Sequence, residues 1–317
     1  MVTPFKGAEK EINRYKKQTF FSKYGQLYII LLPTVLFYAI FHYAPMFGIA
    51  VAFQNYRPTI GMFGSDWVGF DNFVRFLSDY SFWRLIRNTL MINVYGLVFG
   101  FPAPIIFALL LNEMRNNKIK KIVQTVTYMP HFISIIVISS LILTFVASDG
   151  VVNTVAKFFG ASEPISFMTK PEYFWGINEI TNIWQSLGWN SIIFMAALAG
   201  VDAQLYEAAQ IDGAGRFKQL WHVTIPCIMG TIIILLILRI GQMMNVGFEK
   251  ILLLQNPSIY ETADVISTHV YRQAFVSGGS DAFSYSTAVG LFNSVVNFIL
   301  LLSANFLAKK ATGSGLW

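Results

Sequence analysis

Charge is what this sequence has least of. Only 13% of its 317 residues are Asp, Glu, Lys or Arg, about half the roughly 25% usual in soluble domains. With 55% hydrophobic and 16% aromatic residues, that balance excludes an ordinary soluble domain. Cysteine is nearly missing as well. The single Cys227 rules out an internal disulfide, and beside the scattered His42, His131, His222 and His269 it forms no metal-site spacing. No G-x-x-x-x-G-K-[ST] occurs; "GAGRFKQL" lacks the Gly-Lys pairing, so the chain is not expected to bind ATP. A nucleophile beside a base and paired buried carboxylates are lacking too, so there is no enzyme site to read.

What is present is long apolar runs. They recur near the roughly 20 residues that a membrane-crossing helix needs, and they do not alternate as the strands of an outer-membrane barrel would. The fold class is therefore an all-α membrane protein. Six transmembrane helices are expected, at about 26–50, 86–111, 122–147, 174–200, 225–247 and 284–308. Basic residues orient them. With the N-terminus inside, 14 Lys/Arg fall on the cytoplasmic side and 8 outside, counting Arg87 at the mouth of its span as outer. "NEMRNNKIKK" (112–121) is the sharpest inside marker and Lys309–Lys310 close the last span, so both termini are expected to be cytoplasmic. The chain divides into an N-terminal segment 1–25, a membrane domain 26–310 and a tail 311–317. The basic first 24 residues lead into an apolar run with no small-residue cleavage pattern, which is expected to stay as the first span. "EKEINRYKKQTFFSKYG" (9–25) reads either as an interfacial helix resting on lipid through Phe20, Phe21 and Tyr24 or as an unstructured tail. Outside, "GFDNFVRFL" (69–77) sets Phe70, Phe73 and Leu77 at helical spacing, as in a short helix lying on the membrane surface.

Polar residues within a span are costly and turn towards the bundle interior or a wet cavity. In the fourth span Asn178, Asn182, Gln185 and Trp189 share one helix face. Ser286, Gly290, Asn293 and Asn297 repeat that spacing in the sixth, and the fifth carries Arg239, Gln242 and Met243 at i, i+3 and i+4. These faces either line a path, where amides exchange hydrogen bonds with hydroxyls and the indole covers an apolar sugar face, or they hold helices together. Arg239 costs roughly 2.5–3.5 kcal/mol at mid-membrane on insertion scales, so something must answer its charge. A ligand carboxylate, backbone carbonyls and an acidic residue of a partner subunit all qualify. His131, after Pro130, reads as packing beside a kink, with a proton relay as the sharper alternative.

One water-facing stretch interrupts these runs: "LYEAAQIDGAGRFKQLWHVTIPCI" (205–228). Its alanines favour a helix that a partner surface can approach closely. Gly213 and Gly215 permit a sharp turn, and Pro226 is placed to begin the fifth span. On residues alone, a docking helix and an ordinary loop are equally open. The spacing, however, resembles the EAA motif of importer permeases of the ATP-binding cassette class: E-A-A, three residues, G, nine residues, I-x-L-P. Glu207, Ala208, Ala209 and Gly213 match, and Val223, Ile225 and Pro226 fall at the closing positions. "YMPHFISIIVISSLILTFVASDGVVN" (128–153), "AFSYSTAVGLFNSVVNFILLLSANFLAKK" (282–310) and the terminal "GLW" resemble the oligosaccharide-importing members, which take up polysaccharide fragments such as pectin, alginate and aldouronate pieces.

The resemblance implies a type I ABC importer permease fold and a coupling helix at about 203–215. The polar faces described above offer that fold a substrate path along Asn182, Gln185, Trp189, Arg239, Gln242, Met243, Asn293 and Asn297. The implied partners are a second permease subunit (a paralogue, in a heterodimer), two ATPase subunits carrying ATP and Mg, an extracellular solute-binding protein and the oligosaccharide. The implied setting is the bilayer of the bacterial cytoplasmic membrane. No cofactor on this chain, no metal and no nucleic acid are expected. An ion-coupled secondary transporter is the alternative; such proteins place carboxylates deep in the membrane, whereas the only carboxylate in a span here is Glu179, near its outer end.

Overall fold

The computed structural model describes residues 20–276, 279 and 281–317. The basic segment 1–19, with most of the interfacial helix expected of it, lies outside the described residues. Four helices are long and apolar enough to cross a membrane: Tyr24–Phe53, Phe82–Glu113, Arg216–Ile240 and Ala282–Thr312. Two further helix pairs are apolar enough only when each is taken together, and both are bent. Asn117–Phe132 meets Ile135–Phe145 at 99°, and Pro171–Ala199 meets Ala203–Ile211 at 68°.

The third span is thus not the single helix expected over 122–147. Pro130 lies in the 3-10 turn Met129–Phe132, and Ile133 and Ser134 are extended before the helix restarts at Ile135. Proline removes a ladder hydrogen bond and its ring crowds the preceding turn, so the chain breaks here. The second half, Ile135–Phe145, packs against the short helix Phe248–Leu254, and Ile138, Ile142, Ile251 and Leu254 share one core.

The fifth span is also displaced from its expected 225–247. The α-helix itself starts at Ile225 with Pro226 in its first turn, as expected, but Arg216–Gln219 and Leu220–Thr224 run into it, so the continuous helical stretch is Arg216–Ile240. The turn before Ile225, Leu220–Thr224, is π-helical; a wider turn accommodates the proline ring and the missing donor. The second span repeats the device, with a π-helical segment Gly96–Gly100 just ahead of Pro102 and Pro104.

The fourth span, Phe174–Ala199, is the centre of the molecule. It lies along Pro102–Glu113 of the second, where Ala108, Phe194, Leu198 and Ile228 form an apolar cluster. The sixth span packs on the fifth and on Phe47–Phe53 at the end of the first. Between the first and second spans, β1 (Gln54–Asn55) and β2 (Asp66–Trp67) pair antiparallel, and the helix Asp71–Leu77 follows. The carboxylate of Asp264, almost wholly buried, takes ion pairs from Arg84 at 3.2 Å and Arg272 at 2.6 Å. Those contacts tie the chain between the last two spans to the second.

Candidate functional site

Two places in this fold can act on something else: a helix that projects beyond the bundle and a cavity within it. The projecting helix is Ala203–Ile211. Asp202 caps it, its carboxylate accepting from the Gln204 N–H at 2.9 Å. Gly213 ends it with φ +77°. There the Gly213 N–H donates to the Gln210 carbonyl at 3.0 Å and the Ala214 N–H to the Ala209 carbonyl at 2.8 Å. That pair of bonds is a Schellman ending, which calls for a left-handed residue at the glycine position. The helix of the expected 203–215 segment therefore stops at Ile211, and 212–215 make the turn. No residue of this helix is buried, and Ile211 and Phe217 are 87% and 73% exposed. Glu207, Ala208 and Gly213 face outward on the same surface segment, with Ala209 half-buried. Two contacts root the segment: the Tyr206 hydroxyl meets the Thr224 hydroxyl at 3.1 Å, and Arg216 reaches Glu113, at the end of the second span, at 3.8 Å.

The cavity measures about 1010 Å³ and lies between the second, fourth and fifth spans, at the upper end of the roughly 300–1,000 Å³ usual for ligand pockets. Asn182, Gln185, Trp189, Arg239 and Gln242 all line it. Gln242 gets there differently from the expected helix face. The helix has ended at Ile240, and a turn in which the Gln242 N–H bonds the Arg239 carbonyl at 3.1 Å carries Gln242 and Met243. Met243 is outside the lining, as are Asn293 and Asn297 of the sixth span. Asn297 is buried and accepts from the Met244 N–H at 2.8 Å, and Ser286 donates to the Val270 carbonyl at 3.3 Å. That face holds elements of the fold together.

Trp189 is 44% exposed and lies parallel to His131 at 4.4 Å, with Phe132 edge-on at 5.7 Å. His131 thus packs at the break of the third span and covers one face of the indole, leaving the other for a ligand. Arg239 points into the cavity, and among the described residues its guanidinium makes no hydrogen bond or ion pair. It lies against Gly96, where any Cβ would overlap it, and one turn on, Gly100 leaves room for the buried carboxylate of Glu179.

Sequence reasoning missed Lys250. It is buried, and its ammonium donates to the Asn178 carbonyl at 3.0 Å, the Thr181 hydroxyl at 2.6 Å and the Asn182 side-chain oxygen at 2.8 Å. Its sequence neighbours read as an outer loop, and its partners stand about 70 residues away in the chain. Glu179, weighed only as an outer-end carboxylate, lies within electrostatic reach of both Arg239 and Lys250.

Residues 100–313 match the family model described as binding-protein-dependent transport system inner membrane component. Protein LplB of Bacillus subtilis is 47% identical over 92% of this chain and 91% of its own. The polygalacturonan/rhamnogalacturonan transport system permease protein YteP of the same organism is 44% identical over 92% and 90%. Among solved structures, a chain of a bacterial alginate ABC transporter, in complex with its alginate pentasaccharide-bound periplasmic protein, superposes with a TM-score of 0.84. It shares 40% identity over 93% of this chain and 98% of that one. A motif-bearing helix at the surface, a cavity with amides and charged groups in a largely apolar wall and these likenesses agree: the chain is a multi-pass membrane permease of the ABC-importer type and belongs to the family of binding-protein-dependent transport system inner membrane components.

Proposed function

We propose that this permease forms half of the path by which an ATP-driven importer moves acidic oligosaccharides across the bacterial cytoplasmic membrane. The observation that carries the substrate class is Arg239, whose guanidinium makes no hydrogen bond or ion pair among the described residues and faces a cavity that several amides, an indole and the Glu179 carboxylate also line. Amides exchange hydrogen bonds with hydroxyls, an aromatic face covers the apolar side of a sugar ring, and a guanidinium meets a carboxylate in two parallel bonds. YteP belongs to a polygalacturonan/rhamnogalacturonan transport system and the solved transporter imports the acidic polysaccharide alginate, which supports the same reading.

Both termini lie in the cytoplasm on this reading, with Glu207, Ala208, Ala209 and Gly213 seated on an ATPase subunit that carries ATP and Mg. A paralogous permease supplies the other half of the path, and an extracellular binding protein delivers the sugar. An ion-coupled carrier finds no support in a family defined by dependence on a binding protein.

The test is uptake of labelled oligogalacturonates and of neutral oligosaccharides of equal length by cells carrying Arg239→Gln. Uptake of the acidic sugars should fall about tenfold more than that of the neutral ones, the loss of one charge-assisted contact worth ~1.4 kcal/mol. Equal effects on both sugars in a well-assembled complex would remove Arg239 from the sugar site. Purification of the tagged permease should bring an ATPase subunit with it; its absence would remove the docking role.

A further inference from the structure

The cavity wall holds more charge than one arginine. Glu179 and Arg239 both abut the π-helical segment Gly96–Gly100, one glycine opposite each charged group. Lys250 approaches Glu179 from behind, through the fourth span. Its state follows from its partners. The Thr181 hydroxyl spends its own proton on the Ile177 carbonyl at 2.7 Å, so towards Lys250 it can only accept. The Asn178 carbonyl and the Asn182 side-chain oxygen accept as well. Three acceptors take all three protons of an ammonium, whereas a neutral amine would leave one unserved. These acceptors favour the ammonium, while burial lowers the Lys250 pKa to about 7; with Lys250 protonated the cluster holds two cations and one carboxylate, a net charge of +1.

We propose that Lys250 sets the selectivity of the cavity: it offsets Glu179, so that the positive charge of Arg239 remains available to a ligand carboxylate. The proposal rests on the acidic-sugar reading above and adds two specificity-determining residues to it. Lys250 is a positioning residue, since it meets the ligand only through Glu179 and Arg239. Without it, Glu179 would face Arg239 alone and offset its charge, because a buried carboxylate attracts a nearby guanidinium. The same logic assigns Glu179 as the brake on anion affinity. Neither effect depends on a hydrogen bond between Glu179 and Arg239, only on the sign and nearness of the charges.

Charge and shape separate cleanly with two probes, trigalacturonate and its fully methyl-esterified form, which differ in charge but hardly in outline. Their equilibrium binding is measured on the assembled permease–ATPase complex without binding protein, and the ratio of the two affinities is compared among variants. Lys250→Met should lower the preference for the acid about tenfold. Glu179→Gln should raise it by a similar factor, and the double variant, again at +1, should return it to the wild-type value. Restoration by the double variant is the outcome a merely structural role for Lys250 would not produce. Should Lys250→Met fail to assemble, Glu179→Gln alone still reads the opposite direction. An unchanged ratio in Glu179→Gln, or a double variant no better than Lys250→Met, overturns the proposal. A wild-type complex that binds acid and ester equally, or binds neither, overturns instead the reading on which it rests.

Discussion

Single residues divide into those whose neighbours can yield and those whose neighbours cannot. Gly188 of the fourth span is buried against the third, where a Cβ would overlap the Thr127 carbonyl and the Tyr128 ring. Backbone cannot step aside cheaply. Gly188→Ala should therefore destabilise the protein by about 1–3 kcal/mol, as overpacking does, and lower the thermal midpoint of the detergent-solubilised complex. Gly96→Ala overlaps the tip of the Arg239 side chain, which has the cavity to move into, and touches the Glu179 carboxylate only at an ordinary 3.6 Å. It should leave that midpoint nearly unchanged while altering sugar binding. Equal melting of the two variants would contradict this distinction. The residue scale is also where reading the sequence alone falls short. Asn182, Gln185 and Trp189 were legible because helical spacing placed them on one face of one helix. Lys250 was not, because nothing local marks it; only the approach of the fourth span turns it from a loop cation into a buried one.

At the scale of elements, apolar length made the spans legible, and proline placement misled on their shape. Pro226 reads as a helix start, and the α-helix does start at Ile225, yet the helical stretch begins at Arg216 and reaches the proline through the π-helical turn Leu220–Thr224. Pro130 reads as a kink, yet the chain there breaks by 99°, and the half beyond it packs Ile138 and Ile142 on Ile251 and Leu254. Neither outcome is fixed by local propensity. The end of the docking helix is the opposite case, for Gly213 is where the motif spacing put it and its φ of +77° is one that side chains disfavour. A non-glycine residue pays about 1–2 kcal/mol in that conformation. Gly213→Val should accordingly unwind the last turn of Ala203–Ile211 and lower uptake while leaving ATP hydrolysis by the reconstituted importer largely intact. Gly213→Asn should be milder, since asparagine tolerates the left-handed region. Full uptake and normal ATPase recruitment by the valine variant would sink the coupling role.

For the whole molecule, exposed positions at the two ends decide which end faces the cytoplasm. Lysines and arginines concentrate on the side of 112–121, 216–218 and 309–310, the side that also carries the docking helix. The ribbon of β1 and β2 lies between the first two spans and belongs to the other side under the same orientation. Cys227 is exposed, so it must first be replaced by serine. In that background Ile211→Cys introduces a thiol where the native side chain is 87% exposed, and Phe63→Cys does so where it is 99% exposed. An impermeant maleimide added to intact cells should label position 63 and spare position 211, and inverted vesicles should give the reverse. Adding the ATPase to stripped inverted vesicles should slow labelling at 211 several-fold if the helix docks there, since no residue of Ala203–Ile211 is buried among the described residues. Labelling at 211 from outside would invert the topology. Unchanged labelling on adding the ATPase would leave the orientation standing and move the docking surface elsewhere.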